Sequence, residues 1–484
     1  MSNLLLCRGV VLSLALLVQA MGAQFAPDFR VRPDDFTVLM VPDATVSEGI
    51  EKWTGGHGKF FGPGWRKAGQ QAGWRVTVPA ADDYAVNVSL YQSHGAPVSF
   101  LVRAGESEVR GTLTGQERGW NRVPLAGTLR LPQGAVTVTL KVVSPAEDFE
   151  LSVQSVELVR PAVRKALLER ALSLRANTKW FQDAGYGIMV HWTSESMPRA
   201  GERKPYAQAV ADFDVEAFAA QMQKTGAGFV VLTTSHGQQY FPGPNRAMDA
   251  ILPGRTASRD LVGDLAAALQ KRGMKLMLYY HPGAGSDPKW IEASGAMETD
   301  TTRFFTNWQR IISEVGERHG DRLAGWWFDD GAVAYYYRSA PWEALHRAAR
   351  AGFAQRLIGW NPWELSSPTE FQDFYCGEGR AEPSGADAML TKGGDGRYRR
   401  GAYTGLQASA SLITESDWVH SRKDTEIGPP KWTAAHMADL LARFRSYRNV
   451  PIFNVEIYQT GEVSPATVAM FQEARRLLDN GGDK

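Results

Sequence analysis

Gly325-Trp326-Trp327-Phe328-Asp329-Asp330-Gly331 is the stretch on which the reading of this chain turns. Four apolar or small residues lead into two carboxylates and a glycine. That is the pattern of a short, fully buried strand ending at a polar rim. A strand of a (β/α)8 barrel ending in an acid delivers that acid to the working face of the barrel. An Asp that follows three large aromatics stands at the edge of a dry wall, beside surfaces on which a sugar ring can stack. The plain alternative is a strand end whose Asp caps the next helix or turn.

Segments on either side of this stretch repeat the same alternation of element types. The patterns predict strands at Gly187–His191, Gly228–Thr234, Lys275–His281, Leu323–Asp329, Leu357–Asn361, Phe371–Tyr375, Leu412–Glu415 and Pro451–Val455. Between several of them, apolar residues recur at three- and four-residue spacing. These intervals predict helices at Phe213–Lys224, Ser258–Arg272, Thr302–His319, Trp342–Gly352, Ala434–Arg445 and Pro465–Leu478. Thr225-Gly226 and Arg272-Gly273 are helix stops. Eight strand–helix units imply a closed parallel barrel, placed at 179–484. The sixth and seventh units are obscured by the Gly-rich run Lys392–Gly401.

Residues 27–160 read differently. Trp74–Pro79, Tyr84–Tyr91, Val98–Arg103, Ala135–Val142 and Leu151–Val159 alternate apolar and polar residues, with turn-rich segments between them. Short alternating strands at this spacing predict a β-sandwich. Trp53–Trp65, rich in Gly and Trp, reads as a loop that presents aromatics. The module resembles the carbohydrate-binding sandwiches attached to glycosidases, and a purely structural spacer is the competing reading. A charged amphipathic helix at Ala162–Leu174, within 161–178, connects the two parts.

The 484 residues are 44% hydrophobic and 22% charged, with a net charge of +1. That balance argues against nucleic acid or a membrane surface as the partner. Residues 1–23 read as a signal peptide: Arg8, an apolar run from Gly9 to Val18, then small residues at Ala20, Gly22 and Ala23. The expectation is an exported protein, periplasmic or extracellular. Cys7 leaves with that segment, so Cys376 alone remains and no intramolecular disulfide is available. Cys376 is expected to be inert.

The predicted strand ends carry His191-Trp192, Ser235-His236, Tyr279-Tyr280-His281, Asp329-Asp330, Asn361, Glu378 and Glu415. Acetal cleavage passes through an oxocarbenium-like state. It needs one carboxylate facing the anomeric carbon and a second acid for the leaving oxygen. Histidine and tyrosine hold ring hydroxyls, and Trp stacks on the apolar face. Each of these histidines could instead be a satisfied core residue, and the tryptophans core or wall. No phosphate-binding Gly loop, paired Cys or His-x-Glu-x-His pattern is present, so neither metal nor cofactor is expected.

The residues also carry a resemblance. Trp180–Trp192 (WFQDAGYGIMVHW) resembles the opening barrel strand of the α-L-fucosidases of glycoside hydrolase family 29. Val231-Leu-Thr-Thr-Ser-His236, Arg259–Leu265 with Gly273–Tyr280, and Trp327-Phe-Asp329-Asp330-Gly331 resemble its following segments in order and spacing. Asp373-Phe-Tyr-Cys-Gly-Glu378 is similar to the segment that supplies an acid/base Glu in some members, and Ile452–Ile457 with Gly461 to the last strand. The resemblance covers most of 177–480. It implies a (β/α)8 barrel and a retaining, double-displacement glycosidase without a metal. Asp329 would be the nucleophile, and His191, His236 and Tyr280 would hold sugar hydroxyls. Glu378 is the first candidate for acid/base, Glu415 the second and Glu364 the third. Trp192 is the favoured stacking platform. His281, Asp330 and Asn361 complete the expected binding set.

Several positions depart from the family pattern. Gly237 stands in place of a second His, Gln238-Gln239-Tyr240 in place of Asp-Gly-Phe, and Cys376-Gly377 in place of Thr-Pro. Gly359–Trp363 lacks an expected Arg. The sandwich precedes the barrel rather than following it. Three functions stay open: an exported α-L-fucosidase acting on an oligosaccharide or polysaccharide, a glycosidase of the same barrel with another or a substituted sugar, and a carbohydrate-binding protein without activity. Oligomeric state is not legible.

Overall fold

The computed structural model describes residues 29–54, 60–92, 97–113, 119–145, 149–282, 287–296, 298, 300–329, 340–362, 368–378, 390–391, 394–399 and 403–481. The predicted signal peptide, Asp330, Trp363 and Glu364 lie outside the described residues. The protein is a (β/α)8 barrel preceded by a β-sandwich.

Two antiparallel sheets make the sandwich. Asp82–Gln92 and Leu151–Val159 are the centre of one; Gln71–Val78, Gly134–Pro145 and Val98–Ala104 form most of the other. Alternation is the cause. In Gln71–Val78, Ala72, Trp74, Val76 and Val78 turn inward while the residues between them stay at least partly exposed. They pack with Val88, Leu90, Val138, Leu140, Val153 and Leu158 in one core. The Trp53–Trp65 segment is not a simple loop: Trp53–Thr54 and Phe60–Trp65 are strands, and the second pairs with Leu151–Val159. Trp65 is buried in the core, so only Trp53 of the two tryptophans is exposed.

A helix, Pro161–Ser173, leads to the barrel. Seven barrel strands are hydrogen-bonded in parallel in the spatial order 5-4-3-2-1-8-7: Gly187–Val190, Phe229–Thr233, Lys275–Tyr280, Leu323–Phe328 and Leu357–Trp360 are strands 1 to 5, Ser409–Ile413 is strand 7 and Val450–Val455 strand 8. Segment 373–378 closes the ring. Asp373 N donates to Ile358 O (2.8 Å), Gln407 N to Asp373 O (3.2 Å), Tyr375 N to Gln407 O (2.9 Å) and Ser411 N to Gly377 O (3.1 Å). This sixth segment is irregular because a side chain takes over part of the ladder. The buried Asp373 carboxylate accepts from the backbone N–H of Ile358 and of Ala176, each at 2.8 Å, and pairs with Arg350 at 2.8 Å. Removing one partner of such a buried pair costs about 3–5 kcal/mol.

Both faces of these strands are apolar. Met189, Phe229, Val231, Met277, Tyr279, Trp327, Leu357, Phe374, Cys376 and Ile452 fill the interior. Ile188, Val230, Leu278, Tyr280, Trp326, Phe328 and Trp360 face the helices. The helices start and stop where the sequence supplies caps. Asp214 accepts from Ala217 N at 2.9 Å at the start of Val215–Thr225, and Gly226 ends that helix with φ +82°. No helix lies between strands 5 and 6, or 6 and 7, among the described residues. The sandwich and the Pro161–Ser173 helix pack against this part of the barrel. Trp342 packs on Met40 of the sandwich and also on the cluster of Leu167, Ala171 and Phe371. Arg122 reaches Glu370 at 3.0 Å and Arg170 reaches Glu343 at 3.0 Å. No helix among the described residues is long and apolar enough to cross a membrane.

Candidate active site

Strand 4 sets the site. Its alternation turns Trp327 inward, Phe328 toward the helices, and Asp329 inward again. The backbone N–H of Asp329 extends the ladder to Tyr280 O at 3.0 Å. Beneath it Trp327 stacks on Tyr279 with centroids 5.1 Å apart, a contact contributing about 0.5–1.5 kcal/mol beyond area burial.

Two donors hold the Asp329 carboxylate. The Tyr279 hydroxyl donates to Oδ2 in a short hydrogen bond, and Asn361 Nδ2 donates to Oδ1 at 3.0 Å. Asn361 stands at the end of strand 5, where its own N–H continues the ladder to Phe328 O at 2.8 Å. The same Asn361 Nδ2 donates to Glu378 Oε1 at 2.9 Å. One amide nitrogen therefore bridges two carboxylates, whose oxygens lie within about 6 Å of each other, near the ~5–5.5 Å separation of a retaining pair. Glu378 is carried by the irregular sixth segment and pairs through its backbone with Ser411. Asp329 is 6% exposed and Glu378 partly exposed, so the two acids differ in access to water.

Imidazoles form the adjoining wall. His191 sits edge-on to His236 at 5.4 Å and to Tyr279 at 4.8 Å, and His236 lies 6.0 Å from His281. Burial pushes His191 down to about 3, with His236 adding to the effect and Asp329 opposing it. Burial likewise pushes His281 down to about 4, against the pull of Asp329. Both rings are neutral near pH 7, so each can donate and accept. Asn454 fixes the His191 tautomer. Its Nδ2 donates to the Trp418 and Asp417 carbonyls at 3.1 and 3.3 Å, which turns Oδ1 toward His191 Nδ1 at 2.7 Å. Nδ1 then carries the proton, and Nε2 is left as an acceptor. Trp418 closes this side, 5.3 Å from the His191 ring. Cys376 is buried under the acids; burial, then Asp329 and Glu378, push its thiol well above the usual range.

The structure brings together Asp329, Glu378, Asn361, His191, His236 and His281. Three expected members lie elsewhere. Tyr280 faces the helices and packs on Trp308 at 6.4 Å; Tyr279 has the place expected for it. The Trp192 ring lies between Tyr206 and Phe213, at 5.6 and 5.0 Å, with Nε1 donating to Gln459 O, so it is no sugar platform. Glu415 is fully buried against the last helix, accepting from Thr467 Oγ1 and from Glu456 N at 3.0 Å. Burial raises it to about 7, but it does not face Asp329. The sequence reading placed Tyr279 among the strand ends but gave it no role, and gave none to Asn454 or Trp418. For Tyr279 a signal existed: it lies two residues before His281, hence on the same face of the strand. Asn454 and Trp418 act through contacts between the ends of strands 7, 8 and 1, for which no local pattern exists. No group of three or more His, Cys, Asp or Glu among the described residues is placed to hold a metal ion.

Comparison with known proteins gives a consistent likeness. The family model described as Alpha-L-fucosidase matches residues 206–385. The chain is 30% identical to the tissue alpha-L-fucosidase of Mus musculus over 146 residues, 23% of this chain and 31% of that protein. It is 30% identical to that of Homo sapiens over 162 residues, 26% of this chain and 34% of that protein. The match thus spans about a third of the length of these curated relatives. Among solved structures, unliganded alpha-L-fucosidase AlfC from Lactobacillus casei superposes with a TM-score of 0.48 at 19% identity, covering 63% of this chain and 99% of that one. A bacterial fucosidase with a monovalent iminocyclitol inhibitor superposes with a TM-score of 0.45 at 15% identity, covering 62% and 74%.

Proposed function

We propose that this chain, a divergent member of the α-L-fucosidase family, is a retaining glycoside hydrolase that releases an L-fucose-like sugar from a glycan by double displacement. The observation that carries this reading is the Asn361 amide shared by Asp329 and Glu378. An inverting pair stands about 6.5–9.5 Å apart to admit a water, whereas this pair is spaced for direct attack.

Asp329 is the nucleophile. Tyr279 and Asn361 hold its carboxylate, with His191, His236 and His281 beside it for the sugar hydroxyls. Its oxygen bonds to the anomeric carbon as the glycosidic C–O bond breaks. Glu378, with readier access to solvent, gives its proton to the departing oxygen. The same carboxylate then takes a proton from the water that cleaves the glycosyl ester, and the sugar leaves with its original anomeric configuration. Trp418, at the rim beside His191, is the aromatic surface available to the sugar.

Export belongs to this proposal. It rests on the signal-like run of residues 1–23, and N-terminal sequencing of the secreted or periplasmic protein checks it. For activity, the wild type is assayed on aryl α-L-fucoside beside a panel of other aryl glycosides. Cleavage of another glycoside with fucoside untouched removes the fucose assignment and keeps the hydrolase. Sugar binding without turnover of any glycoside, unchanged in Asp329→Asn, replaces the enzyme with a binding protein.

A further inference from the structure

Gly237 follows His236 at the end of strand 2, and its backbone does not require glycine, since its φ lies outside the left-handed region. Space is the reason for glycine here. A Cβ at this position would meet Glu195 Oε2 at 2.8 Å, and the next two nearest atoms, at 3.5 Å, belong to the same carboxylate. The carboxylate of Glu195 therefore lies over the Gly237 α-carbon, beside the imidazole wall.

Local bonding fixes where that carboxylate sits. Thr193 N donates to Ser196 Oγ at 3.0 Å, and Ser196 Oγ donates to His191 O at 3.3 Å. Glu195 N donates to Thr193 Oγ1 at 3.1 Å, and Ser194 Oγ donates to Gln238 Oε1 at 3.1 Å. The turn after strand 1 is thus tied both to His191 and to the segment carrying Gly237. Glu195 itself is partly buried, and its carboxylate has no hydrogen-bond or ionic partner among the described residues. A carboxylate without a donor keeps its acceptor capacity free for a ligand. Here a ligand at the histidine wall can supply one.

We propose that Glu195 is a specificity-determining residue of the sugar pocket, accepting hydrogen bonds from the free hydroxyls of a neutral glycone and repelling glycones that carry a sulfate or carboxylate. This deepens the proposed function and rests on it. An ionised carboxylate only accepts, so it rewards a hydroxyl donor, and the low-dielectric wall strengthens its repulsion of a second anion.

The test compares wild type, Glu195→Ala, Glu195→Gln and Gly237→Ala on aryl α-L-fucoside and its O-sulfated derivatives. Glu195→Ala is expected to raise KM about ten- to a hundredfold, as loss of a charged hydrogen bond does, with a smaller change in kcat. Glu195→Gln is expected to improve kcat/KM for a sulfated glycoside relative to the neutral one. Gly237→Ala displaces only the end of a flexible side chain, so it should keep the wild-type Tm and raise KM in the same direction. Unchanged KM and an unchanged neutral-to-sulfated ratio in both Glu195 variants overturn the inference while leaving the hydrolase reading intact. If the wild type cleaves no fucoside, the fucose assignment fails by itself, and Glu195 is then read by calorimetric binding of L-fucose and the panel monosaccharides. Weaker binding in Glu195→Ala supports the inference, equal binding overturns it, and no binding of any sugar overturns both.

Discussion

The Asp329 and Glu378 carboxylates share a single hydrogen-bond donor. Asn361 Nδ2 reaches the first at 3.0 Å and the second at 2.9 Å. A third strand end thereby sets the spacing of two acids that come from strand 4 and the irregular sixth segment. Four consequences can be measured.

Asp329→Gly removes the nucleophile and should lower kcat by about 10⁴-fold or more. Asp329→Asn should do the same while keeping a hydrogen bond from Tyr279 and the wild-type far-UV spectrum. Turnover within tenfold of wild type in either variant would end the nucleophile assignment.

The acid/base role separates Glu378 from Glu415. Glu378→Ala should lose most activity on substrates with poor leaving groups, whereas on an aryl glycoside whose leaving group needs no proton azide should restore turnover by attacking the glycosyl ester itself, freeing Asp329 and giving the glycosyl azide. Glu415→Gln should need no rescue. The latter change has its own signature in stability. Burial raises Glu415 to about 7, so the folded chain keeps a proton that the unfolded chain releases near 4.5. Stability due to this group is therefore full below about 4.5 and is lost as pH rises to about 7, by about 3 kcal/mol. Glu415→Gln should flatten that slope in urea titrations at pH 5 to 8. Azide rescue at Glu415 instead of Glu378 would reverse the assignment.

Tyr279→Phe and Tyr280→Phe test the phase of strand 3. Tyr279 donates to Asp329, and loss of a hydrogen bond to a charged group corresponds to about a 10- to 100-fold fall in kcat/KM. Tyr280 packs on Trp308 among the helices, so its change should leave kcat/KM within about threefold. Equal losses in the two variants would contradict the placement.

His191 ties stability to acid. Its folded value is held near 3 by burial, while the unfolded ring titrates near 6.5. Its contribution is full above about 6.5 and is lost as pH falls toward 3, because only the unfolded chain takes the proton. Urea titrations from pH 7 to pH 4 should show wild type losing up to about 3 kcal/mol more than His191→Gln. Parallel curves would show that the folded ring takes up its proton as readily as the unfolded one and is not held neutral by burial.

The sequence by itself determined the two-part architecture, because alternation of period two and apolar spacing of three to four residues are local properties of the chain. It also marked Asp329 and His191, each of which closes an apolar run where a barrel strand must surface, and His236, which follows such a run after Thr233-Thr234-Ser235. What it left undecided was the phase of each strand. Lys275–Tyr280 is buried on both faces after its first residue, so no polar alternation within the strand says whether Tyr279 or Tyr280 looks inward, and only His281 beyond its end marks the face of Tyr279. Trp192 is apolar enough to suit either the sugar side or the helix layer, and the cleft beside Tyr206 and Phe213 took it. Glu415 looked like an acid at a strand end until Thr467, more than fifty residues away, supplied its partner. The tertiary structure alone decided these positions, because each depends on which distant side chain fills the neighbouring space. The carboxylate of Glu195 lying over Gly237, on the turn after one strand and at the end of the next, is of the same kind.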